Sequence, residues 1–78
     1  MAHDNYPIPN VPVWQNPNRM SGALCFANTR VPVSTLFEHI EGGCSLDEFL
    51  DWFEGVTREQ AVAVLKHAET RLLTTAAA

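Results

Sequence analysis

The spacing of apolar positions changes near residue 33 and divides the chain into an extended N-terminal third and a helical remainder. Val11 to Gln15 and Ala23 to Phe26 have the composition of short strands, with turn signals at Asn16-Pro17-Asn18 and Ser21-Gly22. Asn28 then turns the chain, because Asn adopts a left-handed conformation at little cost. A ribbon of such short strands is stable only when helices cover it.

The apolar positions that follow recur with helical spacing and predict helices over residues 34–41, 46–54 and 58–73. Each start carries a capping residue with Glu or Gln three positions on: Thr35 with Glu38, Ser45 with Glu48, and Thr57 with Gln60. Ser34 can cap the first helix in place of Thr35. Gly42-Gly43 and Gly55 then separate the helices.

These elements predict a mainly α fold, with a small N-terminal β ribbon and a three-helix bundle. Residues 1–12 form an extended proline-rich arm, 13–73 a single helical domain and 74–78 a frayed tail. The second and third helices, joined by a short turn containing Gly55, have the proportions of a helix-turn-helix. Many such motifs place a small residue four positions before the turn glycine, where this chain has Asp51.

The third helix has an unusually wide apolar sector. Its core-facing stripe is predicted to contain Ala61, Val64, Leu65, Ala68 and Leu72. Val62 and Leu73 widen this sector to nearly half of the helix circumference. The additional edge, together with Trp14 or Trp52, is either buried inside the small domain or forms a dimer or partner surface.

Charge is unevenly distributed along a chain whose net charge is -4. The acidic residues Glu38, Glu41, Asp47, Glu48, Asp51 and Glu54 occupy a stretch without Lys or Arg. The whole chain has 5 Lys and Arg residues, which supply few phosphate contacts. This composition argues against a tight monomeric binder of duplex DNA, whereas a dimer remains compatible with DNA binding.

DNA contact, if it occurs, is expected from the outward face of the third helix. The candidates on this face are Gln60, Lys66 and His67. Gln60 can read adenine and Lys66 can meet guanine or phosphate, whereas the neighbouring Glu59 repels phosphate. This face is polar but only weakly basic.

A protein partner is expected to use Trp14, Glu48, Asp51 and Trp52. The two carboxylates are either a solvated helix face or a docking patch for a basic partner. Arg30 is interpreted as a structural residue whose guanidinium ties the strand-to-helix junction to carbonyls or to an acidic side chain, and the alternative is a contact with phosphate or a partner.

Neither a catalytic motif nor a metal-ligand set is recognisable, so we expect no enzymatic activity, no metal and no cofactor. Cys25 and Cys44 are interpreted as free thiols in a reducing compartment. The chain has neither a signal peptide pattern nor an apolar run of membrane-spanning length. The expected location is the cytoplasm.

The chain resembles the bacterial and archaeal "domain of unknown function 433" family from about residue 13 to residue 73. The resemblance lies in the run from Asn28 to Leu36, in Gly42-Gly43, and in the helix starts Ser45 to Leu50 and Val56 to Ala61. Two positions depart from the family pattern. Asn28 stands where the family more often has Gly, and Leu24 stands where it has Pro.

This resemblance implies a dimeric domain with a homeodomain-like helical part, and many family members resemble antitoxins whose partners are nuclease-like toxins. It implies a structural junction formed by Asn28, Thr29, Arg30 and Pro32, and a DNA-facing helix at Arg58, Gln60 and Lys66. The expected function is a type II antitoxin that neutralises a nuclease-like toxin and contributes weakly to operator binding. The alternative is a helix-turn-helix transcriptional regulator without a toxin partner.

Overall fold

A computed structural model describes residues 8, 10–15 and 22–77 of the chain. It confirms a mainly helical fold with a small antiparallel sheet at the N-terminal side. The elements in chain order are the strands β1 (Val13–Gln15) and β2 (Leu24–Phe26) and the helices α1 (Val33–Glu41), α2 (Leu46–Trp52) and α3 (Arg58–Ala77).

The β ribbon carries the first part of the core. β1 and β2 are antiparallel, with Val13 opposite Phe26 and Trp14 opposite Cys25. On its other side β2 is joined to the chain before α1 by an isolated bridge between Cys25 and Pro32. Side chains alternate between the two faces of a strand, so the buried pair Val13 and Phe26 faces the helices.

The core lies between this ribbon and the three helices. Phe26, Leu36 and Phe49 are fully buried, and they come from β2, α1 and α2 respectively. Ala61 and Val64 add the buried face of α3. Fully burying an aliphatic or aromatic side chain contributes about 1.5–3 kcal/mol each, so every element is held mainly by its core residues.

Part of the predicted N-terminal arm belongs to this core. Val11 is buried and Ile8 packs against the core cluster. The Val11 amide donates to the Ile8 carbonyl at 3.1 Å, while Asn10 takes a left-handed φ of 66°. Residues 1–7 and 9 of the predicted arm lie outside the described residues.

The predicted cap of the first helix is wrong. α1 begins at Val33 with Pro32 as its N-cap, and no side chain caps it. The proline ring fixes φ at -63°, and the Pro32 carbonyl accepts from the Thr35 amide at 3.0 Å. Ser34 and Thr35 are therefore already inside the helix, where neither can act as the N-cap, and the predicted box of Thr35 with Glu38 does not form.

The other two predicted capping boxes are confirmed. At α2 the Glu48 amide donates to the Ser45 hydroxyl at 3.1 Å, and Glu48 Oε1 accepts from the Ser45 amide at 2.8 Å. At α3 the Gln60 amide donates to the Thr57 hydroxyl at 3.1 Å, and Gln60 Oε1 accepts from the Thr57 amide at 3.0 Å.

Two helix ends differ from the prediction. α2 stops at Trp52, because Phe53 leaves helical geometry with a ψ of 73°. α3 continues to Ala77, four residues beyond the predicted end at residue 73. Residues 69–76 are all exposed, and Leu72, predicted to be a core residue, is 70% exposed.

We find no membrane-spanning candidate among α1, α2 and α3, because none of these helices combines the required length with sufficient apolar character.

Candidate functional site

The strand-to-helix junction is held by Thr29 and Trp14. Asn28 has the predicted left-handed conformation, with a φ of 63°. The Thr29 hydroxyl donates to the Phe26 carbonyl at 2.8 Å and accepts from the Val31 amide at 3.0 Å. Trp14 Nε1 donates to the Thr29 carbonyl at 2.9 Å. Trp14, predicted to be a partner-binding residue, thus also holds the ribbon against the junction.

The bracing contacts predicted for Arg30 are not formed with any of the described residues. Its side chain is exposed, and within the described part of the chain it has neither a hydrogen bond nor an ion pair. Thr29 closes the turn instead, through its own hydroxyl, and Pro32 contributes through backbone geometry. The Arg30 guanidinium is therefore exposed to solvent and has no charged partner among the described residues.

Gln60 is a structural residue and does not face outward. Its Oε1 accepts from the Thr57 amide, and its Nε2 donates to the Ala27 carbonyl at 3.0 Å. Both ends of the side-chain amide are therefore in use, and the bidentate contact to adenine would require breaking both bonds. This hydrogen bond ties the start of α3 to the junction.

The remaining DNA-binding candidates do not form a basic face. Arg58 forms an ion pair with Asp47, and Lys66 Nζ lies 3.2 Å from Glu69 Oε1. All four of these side chains are exposed, so they can exchange partners, but each cation already has a carboxylate beside it.

His67 lines an apolar groove instead of facing a phosphate surface. The groove has a volume of about 140 Å³ and lies between the N-terminal segment, the ribbon, α1 and α3. Apart from His67 its lining is aliphatic and aromatic: Ile8, Val11, Val13, Leu24, Val33, Phe37, Val64 and Ala68.

The predicted partner-binding residues of α2 lie on one side of that helix. Glu48, Asp51 and Trp52 are exposed, and Asp51 and Trp52 follow Glu48 by three and four positions, which places both of them beside Glu48 on the helix surface. We call these three residues the acidic-aromatic face. Trp14 lies on β1, so the structure assigns it to another element.

His39 positions the aromatic part of this face, a role that the sequence did not indicate. Its Nδ1 lies 2.8 Å from the Thr35 carbonyl, which fixes the ring along α1. The imidazole then meets Trp52 edge-on at a centroid distance of 5.5 Å and Phe53 at 5.3 Å. Trp52 is 60% exposed and nevertheless has a ring neighbour that restricts its orientation.

Apolar side chains are also exposed along α3. Val62 is 45% exposed, and Leu72 and Leu73 are 70% and 61% exposed. Of the two readings left open for the edge formed by Val62 and Leu73, internal burial does not apply, and Leu72 of the predicted core stripe is exposed as well. These three side chains form a surface that the described monomer leaves uncovered.

Both cysteines are free thiols in the structure. Burial raises the pKa of the Cys25 thiol above its ordinary value of 9.0, so this sulfur stays protonated at neutral pH. Cys44 is only partly buried. In the described ranges, no group of three or more His, Cys, Asp or Glu side chains is placed to hold a metal ion.

Comparisons with known proteins find a matching family and a similar solved structure. The family described as "Protein of unknown function (DUF433)" matches residues 13–68. A crystal structure of a DUF433 member protein from Anabaena variabilis ATCC 29413 superposes with a TM-score of 0.68 at 28% sequence identity. That match covers 83% of this chain and 64% of the other, so the chain spans less than two thirds of that protein. No curated protein matches the sequence.

Proposed function

The chain belongs to the DUF433 family of proteins of unknown function, and from this premise we propose that it acts as an antitoxin-like binding protein. In this proposal it dimerises and neutralises a basic, nuclease-like toxin in the cytoplasm by covering the toxin's surface, without catalysing a reaction. Contact with operator DNA is a secondary activity of the dimer.

The acidic-aromatic face carries the proposal. Trp52 supplies a large, oriented and mostly exposed side chain of the type that dominates binding energy at protein interfaces. Glu48 and Asp51 surround it with negative charge. A nuclease-like toxin needs a basic surface to hold a nucleic acid, and negative charge on the antitoxin would steer association with that surface.

The state of the α3 cations favours a protein partner over DNA. Arg58 and Lys66 are each beside a carboxylate, and the Gln60 amide is used within the fold. Because each of these cations is neutralised by a neighbouring carboxylate, this face has little net positive charge. It would therefore release few counterions from duplex DNA on binding. The alternative function, a transcriptional regulator without a toxin partner, is supported by the succession of α2, a turn and α3, which is the order of a helix-turn-helix.

The first experiment uses the reading frame next to the gene of this chain. The protein encoded by that neighbouring reading frame is expressed in a bacterial host, first alone and then together with this chain. We expect growth arrest when it is expressed alone and recovery on co-expression. A neighbouring product that leaves growth unchanged, or an arrest that co-expression does not relieve, contradicts the proposal.

Two variants test whether the acidic-aromatic face performs the neutralisation. Trp52→Ala removes the aromatic anchor and Asp51→Lys reverses a charge beside it. We expect each to weaken binding of the co-expressed partner by about 2 kcal/mol, or roughly 30-fold in Kd, and to restore the growth arrest. The Kd is measured by isothermal titration calorimetry with the purified pair.

The matched control for the charge reversal is Glu59→Lys, which changes the net charge equally on α3. Glu59 is exposed and lies outside the acidic-aromatic face. Binding that falls equally in Asp51→Lys and Glu59→Lys would show a dependence on overall charge and would reject this face as the site.

DNA binding is tested with the duplex that lies upstream of the chain's own gene, titrated at several salt concentrations. The antitoxin proposal expects weak binding with a shallow dependence on salt. Tight, sequence-specific binding by this chain together with a neighbouring product that is harmless would favour the regulator.

A further inference from the structure

We propose that α3 carries a self-complementary seam through which two copies of this chain pair in antiparallel orientation. The seam consists of Val62, Lys66, Glu69 and Leu73. This inference rests on the dimer that forms part of the proposed function, and it names the surface that makes the dimer.

The four seam residues share one side of the helix. They are spaced four, three and four positions apart, which is the spacing of helix positions that face a partner helix. At about 100° per residue they fall within about 60° of the circumference. All four are exposed, as is every residue from Glu69 to Ala76, so a second helix has access.

Charge selects the occupant and its direction. In an antiparallel pair with the two-fold axis between residues 67 and 68, Val62 faces the partner's Leu73 and Lys66 faces the partner's Glu69. Every seam residue thus meets a complementary residue. In a parallel pair Lys66 would face a second Lys66 and Glu69 a second Glu69, and such like-charge contacts disfavour association.

The surroundings of the seam supply apolar area on one flank. Leu72 is 70% exposed next to Leu73, and Leu65 is partly buried on the same side, beside Lys66. The intramolecular pair of Lys66 with Glu69, at 3.2 Å, lies in the centre of the seam. Pairing would turn it into a network of four alternating charges, each of which retains an opposite neighbour.

A charge-exchange experiment tests both the surface and the direction. Lys66→Glu and Glu69→Lys are prepared as separate full-length proteins, and sedimentation equilibrium gives the dimer Kd of each. Because each variant places like charges opposite one another, we expect the homodimer Kd to rise roughly tenfold or more in both.

Mixing the two variants is the decisive step. In the antiparallel pair the carboxylate introduced at position 66 of one chain faces the ammonium introduced at position 69 of the other, and the two native residues also meet. We expect a 1:1 heterodimer with a Kd near that of the unsubstituted chain. It is detected by native mass spectrometry with one variant isotopically labelled.

Controls separate this effect from folding and from overall charge. Each chain in the mixture keeps its own substitution, so mixing cannot repair a defect within one helix. Recovery of the dimer on mixing therefore reports contacts between the two chains. Arg71→Glu reverses a cation on the opposite side of α3 and should leave the Kd unchanged. Leu73→Ser should raise the Kd while helix content by circular dichroism stays the same.

Three results would overturn the inference. Dimers that are unaffected by Lys66→Glu, Glu69→Lys and Leu73→Ser would place the interface elsewhere. Weakened variants that fail to pair on mixing would reject the antiparallel alignment. An unsubstituted chain that stays monomeric would reject the seam and the dimer together, while neutralisation of the neighbouring product remains measurable by the growth assay.

Discussion

Gln60 shows at the scale of a single residue how a helix cap and a tertiary contact are combined in one side chain. Its carbonyl oxygen completes the box with Thr57, while its amide nitrogen reaches the Ala27 carbonyl. The backbone around Ala27 turns sharply into Asn28, and the buried position of Ala27 limits access of water to this carbonyl. Gln60 therefore satisfies an acceptor that would otherwise be poorly solvated.

Replacing Gln60 separates these two roles. Gln60→Glu keeps an acceptor for the Thr57 amide but loses the donor to Ala27 and brings a carboxylate towards a carbonyl oxygen. We expect the free energy of unfolding to fall by about 1–3 kcal/mol, the usual cost of leaving such a group without a partner. Urea denaturation at neutral pH measures the change.

The neighbouring substitution Glu59→Gln is the control, because Glu59 is exposed and should alter stability by less than about 0.5 kcal/mol. Equal stabilities of Gln60→Glu and the unsubstituted chain would show that the hydrogen bond to Ala27 contributes nothing.

Sequence spacing predicted one half of this residue's environment. The box of Thr57 with Gln60 spans three positions and is visible in any linear pattern. The contact with Ala27 spans 33 positions and depends on the packing of α1 and α2 between them. For the same reason Gln60 was placed with the DNA-binding residues. The prediction that Arg30 braces the junction could not anticipate that Thr29, whose short hydroxyl bonds its own turn, supplies the hydrogen bonds seen there.

At the scale of elements, the helices differ in how they begin. α2 has a reciprocal capping box, whereas α1 begins at Pro32 without a side-chain cap. Ser45→Ala should therefore lower the free energy of unfolding by about 1 kcal/mol. Ser34→Ala should change it by less than about 0.5 kcal/mol, since Ser34 is exposed and is not a cap.

The two serine variants form a matched pair that thermal unfolding followed by circular dichroism can compare. The substitution is chemically identical, so the difference between them reports the cap of α2 alone. A Ser34→Ala variant as damaged as Ser45→Ala would restore the sequence-based assignment of Ser34 as a cap.

The existence of the helices was predictable because apolar periodicity marks all three segments, and at α2 and α3 the capping boxes agree with it. The helix boundaries were harder to predict, because several residues near each end can start or stop a helix. Pro32 overrides Ser34 and Thr35 at the start of α1, since a fixed φ and a free carbonyl suffice to launch a helix. At the other end, Thr74 to Ala77 remain helical, with the Thr75 hydroxyl donating to the Arg71 carbonyl at 2.8 Å.

At the scale of the whole molecule, the second half of α3 contributes little to the monomer. Residues 69–76 are all exposed, so removing the chain after Thr70 takes away none of the core residues that the structure describes. We expect the truncated monomer to lose less than about 1 kcal/mol of its free energy of unfolding, because surface positions contribute little each. The truncated chain should nevertheless be monomeric at concentrations where the full chain is a dimer.

The truncated and full chains are compared by two measurements. Light scattering after size exclusion gives the oligomeric state, and urea denaturation gives the free energy of unfolding. A truncated chain that still dimerises with the same Kd would show that the association does not need Leu73. A truncated chain that is unfolded would show that this half of α3 supports the core.

The exposure of the second half of α3 also explains why the sequence predicted too many core residues on this helix. The stripe containing Ala61, Val64 and Leu72 is continuous in the sequence, and the structure buries only its first part. Periodicity specifies which side of a helix is apolar but not where the rest of the domain ends. The available ribbon, α1 and α2 are too short to cover a 20-residue helix.

The ribbon has a consequence for how this molecule behaves in concentrated solution. β2 is occupied on one side by β1 and on the other by the bridge to Pro32, which has no amide hydrogen to offer a further strand. Among the described residues nothing pairs with the outer side of β1, but that edge is 3 residues long and follows Pro12. Edges this short are poor templates for fibril-like addition of further chains. Samples concentrated enough to measure a weak dimer should therefore stay free of strand-mediated aggregates.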